Sequence, residues 1–297
     1  MVITGCSSGF GRQMSEQLAR GGDRVYATMR GADGVNSEVV RELNDLAAKD
    51  RLDLRVVELD VRSTHSAEAA AAKVLEESGA PDVVINNAGQ MFVGLTEAFS
   101  DVELLNQLDI NVAGIHRVGR AFLPAMRRRG KGLMINISST AGRMGMPFFG
   151  VYHASKWAVE GYSTALRGEL ASSGVDVVLV EPGPFPTDLL IKGPQPEDSD
   201  SRAATYPAEA QQVFEQMGSA FEDIFNNPDA PTDPGLVVKR VQELMDMAPG
   251  SRPLRSVVGI DFGVRALNEA SAPHEAAQLE MLGLKEFTSL RPGDGNE

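Results

Sequence analysis

Seven short apolar runs, separated by longer amphipathic stretches, restrict the fold more than any other feature of this 297-residue chain. The runs are Val2–Thr4, Val25–Met29, Leu54–Leu59, Val83–Asn86, Leu133–Ile137, Val175–Val180 and Ser256–Ile260. Several are β-branched and apolar at both odd and even positions, the pattern of a strand covered on both faces. Between them the periodicity becomes helical near Gly11–Arg20, Ser37–Lys49, Ala67–Ser78, Val102–Arg128 and Val151–Ser172. Strand–helix repetition predicts an α/β fold, a doubly wound parallel sheet with helices on both faces and right-handed crossovers.

The repeat loosens after Glu181. Lys192–Pro207 is rich in Pro, Asp, Ser and Glu and reads as a loop. Helical patterns follow at Ala208–Phe225 and on to about Met247, with a break at Asn226–Pro234. Residues 188–250 are therefore expected to be a helical insertion over the sheet edge within one domain spanning 1–290. The polar tail 291–297 is expected to be disordered.

Net charge −13 makes a nucleic-acid partner unexpected, because such partners need basic patches. No apolar run reaches membrane-spanning length, so no membrane association is expected. No secretory signal is visible, and Cys6 is the single cysteine. A cytoplasmic setting is the expectation. His65, His116, His153 and His274 are widely spaced, so no metal site is predicted.

The segment Thr4-Gly5-Cys6-Ser7-Ser8-Gly9-Phe10-Gly11 follows the first strand and opens a helix. In that context Gly5 allows a tight turn, and Gly9 and Gly11 let backbone approach a pyrophosphate at the positive helix end. Ser7, Ser8 and Phe10 belong to the same candidate site. The spacing is Gly-x3-Gly-x-Gly, and a merely structural turn would also account for it. The second strand reads Val25-Tyr26-Ala27-Thr28-Met29-Arg30 and ends without the acid that would take a ribose 2′-hydroxyl. Arg30 could instead grip a 2′-phosphate, with Ser8 donating a second hydrogen bond, or be a solvated loop arginine. NADP(H) is thus the preferred cofactor and NAD(H) the alternative, on a Rossmann-type sheet.

Tyr152-His153-Ala154-Ser155-Lys156 opens a later helix, and residues four apart share one face. Ser139 ends the strand Leu133–Ile137 at its carboxyl end, where open α/β sheets bind ligands. A free phenol titrates near ~10. An ammonium about 4 Å away favours phenolate by roughly 4 kcal/mol at an effective dielectric of ~20. Tyr152 could then exchange protons with a carbonyl or alcohol, Ser139 hold the substrate oxygen, and Lys156 tune Tyr152 and bind a ribose. A Tyr-x3-Lys pair alone is common on helix surfaces; the ordered combination with the glycine turn gives it meaning.

With these motifs the sequence resembles the short-chain dehydrogenase/reductase family. Asn86-Asn87-Ala88-Gly89 after the fourth strand, Asn111, Ile137-Ser138-Ser139 and Pro182-Gly183-Pro184-Phe185-Pro186-Thr187 extend the likeness from Met1 to about Asp261. The resemblance implies that Asp60 and Val61 contact adenine, and that Asn87, Ala88 and Gly89 line the cofactor cleft. It implies that Asn111 distorts its helix and anchors a water serving Lys156. Pro182, Gly183, Phe185 and Thr187 would position the nicotinamide.

"ValTyrAlaThrMetArg" and "GlyCysSerSerGlyPheGly" resemble the hydroxysteroid and retinol dehydrogenase branch, which implies NADP and bulky apolar alcohol or ketone substrates. Met91, Phe92, Met144, Met146, Phe148 and Phe149 would form either an adaptable apolar pocket or ordinary core. Two departures stand out: the first strand begins at Met1, and Pro184 and Pro186 stiffen the nicotinamide segment. A catalytically idle NADP-sensing or scaffold relative would often lack the tyrosine or lysine. An epimerase or dehydratase would typically be longer, with a different loop spacing. The resemblance also implies a homodimer or homotetramer through Val102–Arg128 and Val151–Ser172.

Overall fold

The computed structural model describes residues 1–191 and 193–291. In chain order the elements are β1 (Val2–Thr4), α1 (Gly9–Arg20), β2 (Val25–Met29), α2 (Ser37–Asp50), β3 (Leu54–Glu58), α3 (Thr64–Ser78) and β4 (Val83–Asn86). There follow α4 (Asp101–Leu108), α5 (Gly114–Arg129), β5 (Gly132–Ile137), α6 (Gly150–Leu170) and β6 (Val175–Pro182). The last part comprises α7 (Asp188–Ile191), α8 (Ser199–Ala203), α9 (Ala208–Asn226), α10 (Gly235–Asp246), β7 (Arg255–Val258) and α11 (Val264–Met281).

The seven strands form one parallel sheet in the order β3-β2-β1-β4-β5-β6-β7. Strand order reverses between β1 and β4, which opens a crevice at their carboxyl ends. Alternating side chains supply two cores, as a period of two requires. Ile3, Ile85, Ile135 and Val178 pack against Met14 and Leu18 of α1 and Val237, Val241 and Leu244 of α10. Their neighbours Val2, Val84, Met134 and Val177 pack on the other face against Val74 of α3 and Val118, Phe122 and Met126 of α5. Each such side chain contributes about 1.5–3 kcal/mol by leaving water.

Three expectations are corrected. The continuous helix Val102–Arg128 is broken: α4 and α5 are joined by a π-helical turn, Asp109–Ala113, centred on Asn111. The loop Lys192–Pro207 contains the short helix α8, while Lys192 itself lies outside the described residues. A whole helix, α11, follows β7 where none was read. It buries Val264 but has no continuous apolar stripe, which is why periodicity misses it. The tail residues 292–297 lie outside the described residues.

Candidate active site

The β1–α1 turn shows why small residues stand there. Gly5 has φ +72° and lies so close to the β4 loop that a Cβ would come within 2.8 Å of Ala88 Cα. Gly9 has φ +54°, and a Cβ there would meet nothing within 4 Å, so its open side faces the cleft. Ser8 is the N-cap of α1 but makes no capping hydrogen bond through its side chain. That end of α1 is suited to receive anionic oxygens. Gly11 differs from the expectation. It is buried, and a side chain there would strike the Gly5 carbonyl and the Asn87 amide, so its bareness serves turn-to-helix packing rather than approach to a ligand.

The turn is fastened to β4. Asn87 Nδ2 donates to Thr4 O and Gly5 O at 2.9 and 3.2 Å, and the Asn87 and Ala88 N–H groups both donate to Thr4 Oγ1 at 3.0 Å. A cleft of about 620 Å³ runs from this turn along the carboxyl edge of the sheet. Gly5, Ser7, Ser8, Gly9 and Phe10 line it over the end of β1, with Asn87, Ala88 and Gly89 on the β4 side. Open backbone, a helix N-terminus and this elongated cleft fit a dinucleotide.

Arg30, Asp60 and Val61 line the cleft beyond β2 and β3, on the side of the glycine turn away from β4. Arg30 is exposed, and its guanidinium forms no ion pair with a described residue. Glu58 at the end of β3 does not face that guanidinium as a partner. Its carboxylate accepts from the Gly31 and Ala32 N–H groups at 2.9 and 2.6 Å and holds the turn that presents Arg30. Arg62, absent from the sequence reading, also lines the cleft and pairs with Asp60 at 2.9 Å. Hydrogen bonding from Arg62 holds the Asp60 carboxyl below the usual carboxylate range despite its partial burial. The i, i+2 pairing was available in the sequence but carries no specific pattern.

Ser139, Tyr152 and Lys156 line the cleft together beyond the end of β5. Ser139 follows β5 and caps a 3₁₀ turn, Thr140–Gly142. Its Oγ accepts from the Ala141 N–H at 3.1 Å and donates to Pro182 O at 3.3 Å. Tyr152 and Lys156 sit on the first turns of α6, both buried. Lys156 Nζ lies 5.7 Å from the Tyr152 ring centroid and donates to Ile137 O at 2.9 Å. Burial lowers the Lys156 pKa to about 8, against a raising contribution from Glu160. Burial raises the Tyr152 phenol to about 12, with the Ser139 hydroxyl pulling part of the way back. The expected lowering of the phenol by its ammonium neighbour is thus overturned in the free protein. Burial disfavours the phenolate, and the ammonium is engaged with the Ile137 carbonyl.

Asn111 stands one layer behind. Its Nδ2 donates to Gln90 O and Ser155 Oγ at 2.9 and 3.0 Å, and its Oδ1 accepts from Gln90 N at 2.9 Å. It ties the β4 loop to α6 and does not line the cleft. Pro182, Gly183, Phe185 and Thr187 line the end opposite Arg30. Phe185 packs edge-on against Phe10 at 5.3 Å, closing the cleft beneath α1.

Of the apolar candidates, Met91, Met146 and Phe149 line the cleft, and Met144 and Met146 line an adjoining apolar cavity of about 280 Å³. Phe92, stacked on Phe99 at 5.8 Å, and Phe148, packed on Phe214 at 4.9 Å, belong to the core. Sequence reasoning missed Phe221 of α9 and Phe262 after β7, which complete both spaces. Among the described residues no group of His, Cys, Asp or Glu is placed to hold a metal ion. Cys6 is fully buried, and burial pushes its thiol up to about 12, leaving it unreactive.

A family model described as short chain dehydrogenase matches residues 1–198. The chain is 38% identical over 187 residues to a 3-ketodihydrosphingosine reductase of Bacteroides thetaiotaomicron, covering 63% of this chain and 64% of that protein. It is 37% identical over 238 residues to human 17-beta-hydroxysteroid dehydrogenase type 1, covering 75% and 71%. The match thus spans a little under two thirds of the first relative's length. Among solved structures, a short-chain dehydrogenase from Streptomyces avermitilis superposes with a TM-score of 0.73 at 32% identity, covering 95% of this chain and 96% of that one.

Proposed function

The chain belongs to the short-chain dehydrogenase family, and from that premise we propose an NADP(H)-dependent oxidoreductase acting on a bulky apolar ketone or alcohol. The observation that carries this reading is that Ser139, Tyr152 and Lys156 line one cleft together with the open Gly9 turn. The cofactor, when bound, gives or takes the hydride. In the reduction, Ser139 Oγ holds the substrate carbonyl oxygen and the Tyr152 hydroxyl delivers its proton to that oxygen as the alcohol forms. With its phenol raised to about 12, Tyr152 carries that proton throughout the neutral range. Lys156, retaining its proton below about 8, places a positive charge beside the phenol and offers donors to a ribose.

NADP is favoured over NAD because Arg30 presents an exposed guanidinium, with no ion pair to a described residue, where an acid would otherwise select the free 2′-hydroxyl. The substrate class rests on the apolar cavity beside Ser139's loop, walled by Met144, Met146, Met217 and Phe221. The names of the two relatives point the same way, toward a keto-sphingoid and a hydroxysteroid. A homodimer or homotetramer is part of the proposal: Val102 and Leu105 on α4 and Trp157 on α6 are 70%, 62% and 51% exposed. Light scattering at micromolar concentration gives a two- or fourfold mass on this reading.

The direct test is Tyr152→Phe. Ketone-dependent NADPH oxidation falls by on the order of 10²–10⁴, as expected for loss of a positioned general acid, while NADPH still binds. Undiminished turnover sinks the assignment.

A further inference from the structure

His153, the neighbour of Tyr152, is absorbed by none of the roles above, yet it is buried and its ring is fully engaged. Its Nδ1 lies 2.7 Å from Ala141 O, and its Nε2 lies 2.9 Å from the Met146 amide nitrogen. A carbonyl can only accept and a peptide N–H can only donate. The ring is therefore neutral, with its proton on Nδ1 and Nε2 bare.

The two atoms it bridges belong to the two ends of one loop. At one end, the Ala141 N–H donates to Ser139 Oγ, so the residue whose carbonyl His153 holds also sets the serine hydroxyl. At the other end, Met146 lines both the main cleft and the apolar cavity, and Met144 lines the cavity. Between them Met144 and Gly145 are exposed, a side chain added at Gly145 would meet nothing within 4 Å, and Phe148 beyond the loop takes a φ of +69°. Arg143 also tethers this loop, donating to Asn268 Oδ1 and Ser271 Oγ at 2.8 Å each. Resting on the reductase reading above, we infer that His153 is a positioning residue with two separable effects. Through Ala141 it sets the Ser139 hydroxyl, and through Met146 it sets the apolar wall that receives the substrate.

The two contacts can be removed one at a time. His153→Asn keeps a donor where Nδ1 stands and removes the acceptor. His153→Gln keeps an acceptor where Nε2 stands and removes the donor. His153→Phe keeps the ring and neither bond. With a bulky apolar ketone, His153→Asn retains kcat and raises KM about three- to tenfold, the effect of losing one hydrogen bond. His153→Gln retains KM and lowers kcat by a similar factor, and His153→Phe shows both changes. NADPH affinity, read by nucleotide fluorescence, stays at the wild-type value in all three. In the wild-type protein, ¹⁵N-histidine spectra show the Nδ1–H tautomer for the resonance that disappears in His153→Phe. Wild-type constants in every variant, joint loss of kcat, KM and NADPH affinity, or an Nε2–H ring overturns the inference. If wild-type protein binds NADPH but reduces no ketone, the reductase reading fails, and the tautomer still decides whether the loop is held as described.

Discussion

At the scale of single residues, the site is a contest between burial and charge. Lys156 is the clearest case, since its ammonium persists only below about 8. The depressed value means that the positive charge is present at lower pH and is lost as pH rises through 8. NADPH affinity, measured by fluorescence titration from pH 6 to 9.5, therefore weakens across that window, and Lys156→Met removes the dependence. Arg30 is the opposite kind of residue, exposed and fully charged. Arg30→Ala raises the Kd of NADPH about 10- to 100-fold, the loss of a charge-assisted hydrogen bond, and leaves that of NADH nearly unchanged. Equal effects on both nucleotides contradict the assignment of Arg30 to the 2′-phosphate.

At the scale of elements, the β1–α1 turn separates two glycines that look alike in sequence. Gly11→Ala forces a methyl into the Gly5 carbonyl and destabilises the fold by about 1–3 kcal/mol. Gly9→Ala meets no protein atom, so it costs only about 1–2 kcal/mol of left-handed strain while obstructing the cofactor. Thermal melts with and without NADPH distinguish them: Gly9→Ala loses the ligand-induced rise in Tm, and Gly11→Ala lowers the melt of the free protein most. The turn was legible because its residues are contiguous and their spacing is dictated by backbone geometry. The seven strands were legible for the same reason: Val2 and Ile3, or Val177 and Val178, are apolar toward both helical layers. The π-helical turn at Asn111 was not legible in the periodicity, because one extra residue in a helix leaves the apolar pattern on either side intact; only the family resemblance implied that Asn111 distorts its helix. Phe221 and Phe262 escaped because they reach the cleft from elements far along the chain, and Arg62 because its role depends on Asp60 being held in place.

At the scale of the whole molecule, the sheet, α6 and α11 converge on a buried acid. Glu181 on β6 is fully buried, accepts from Asn268 Nδ2 of α11 at 2.6 Å, and faces Glu160 of α6, with Arg255 of β7 and Arg143 nearby. Burial, reinforced by the Glu160 charge, holds its carboxyl well above the ordinary range. The folded state thus keeps a proton that the unfolded chain gives up, and stability falls as pH climbs from the ordinary carboxylate range toward neutrality. Glu181→Gln flattens this loss, so its Tm gains relative to wild type at pH 8 exceed those at pH 5. A uniform offset at both pH values contradicts the linkage.

The place of β1 in the sheet has a consequence for how the protein comes to exist. β1 is hydrogen-bonded to β2 on one side, about twenty residues away, and to β4 on the other, about eighty residues away. The nucleotide cradle lies over that second seam, so it cannot mature until the most sequence-distant pairing of the first half has closed. Long loop closures of this kind are slow relative to local helix formation. In refolding from denaturant, helical signal therefore returns ahead of the ability to bind NADPH, and the ligand acts as a late reporter of the seam between the two halves.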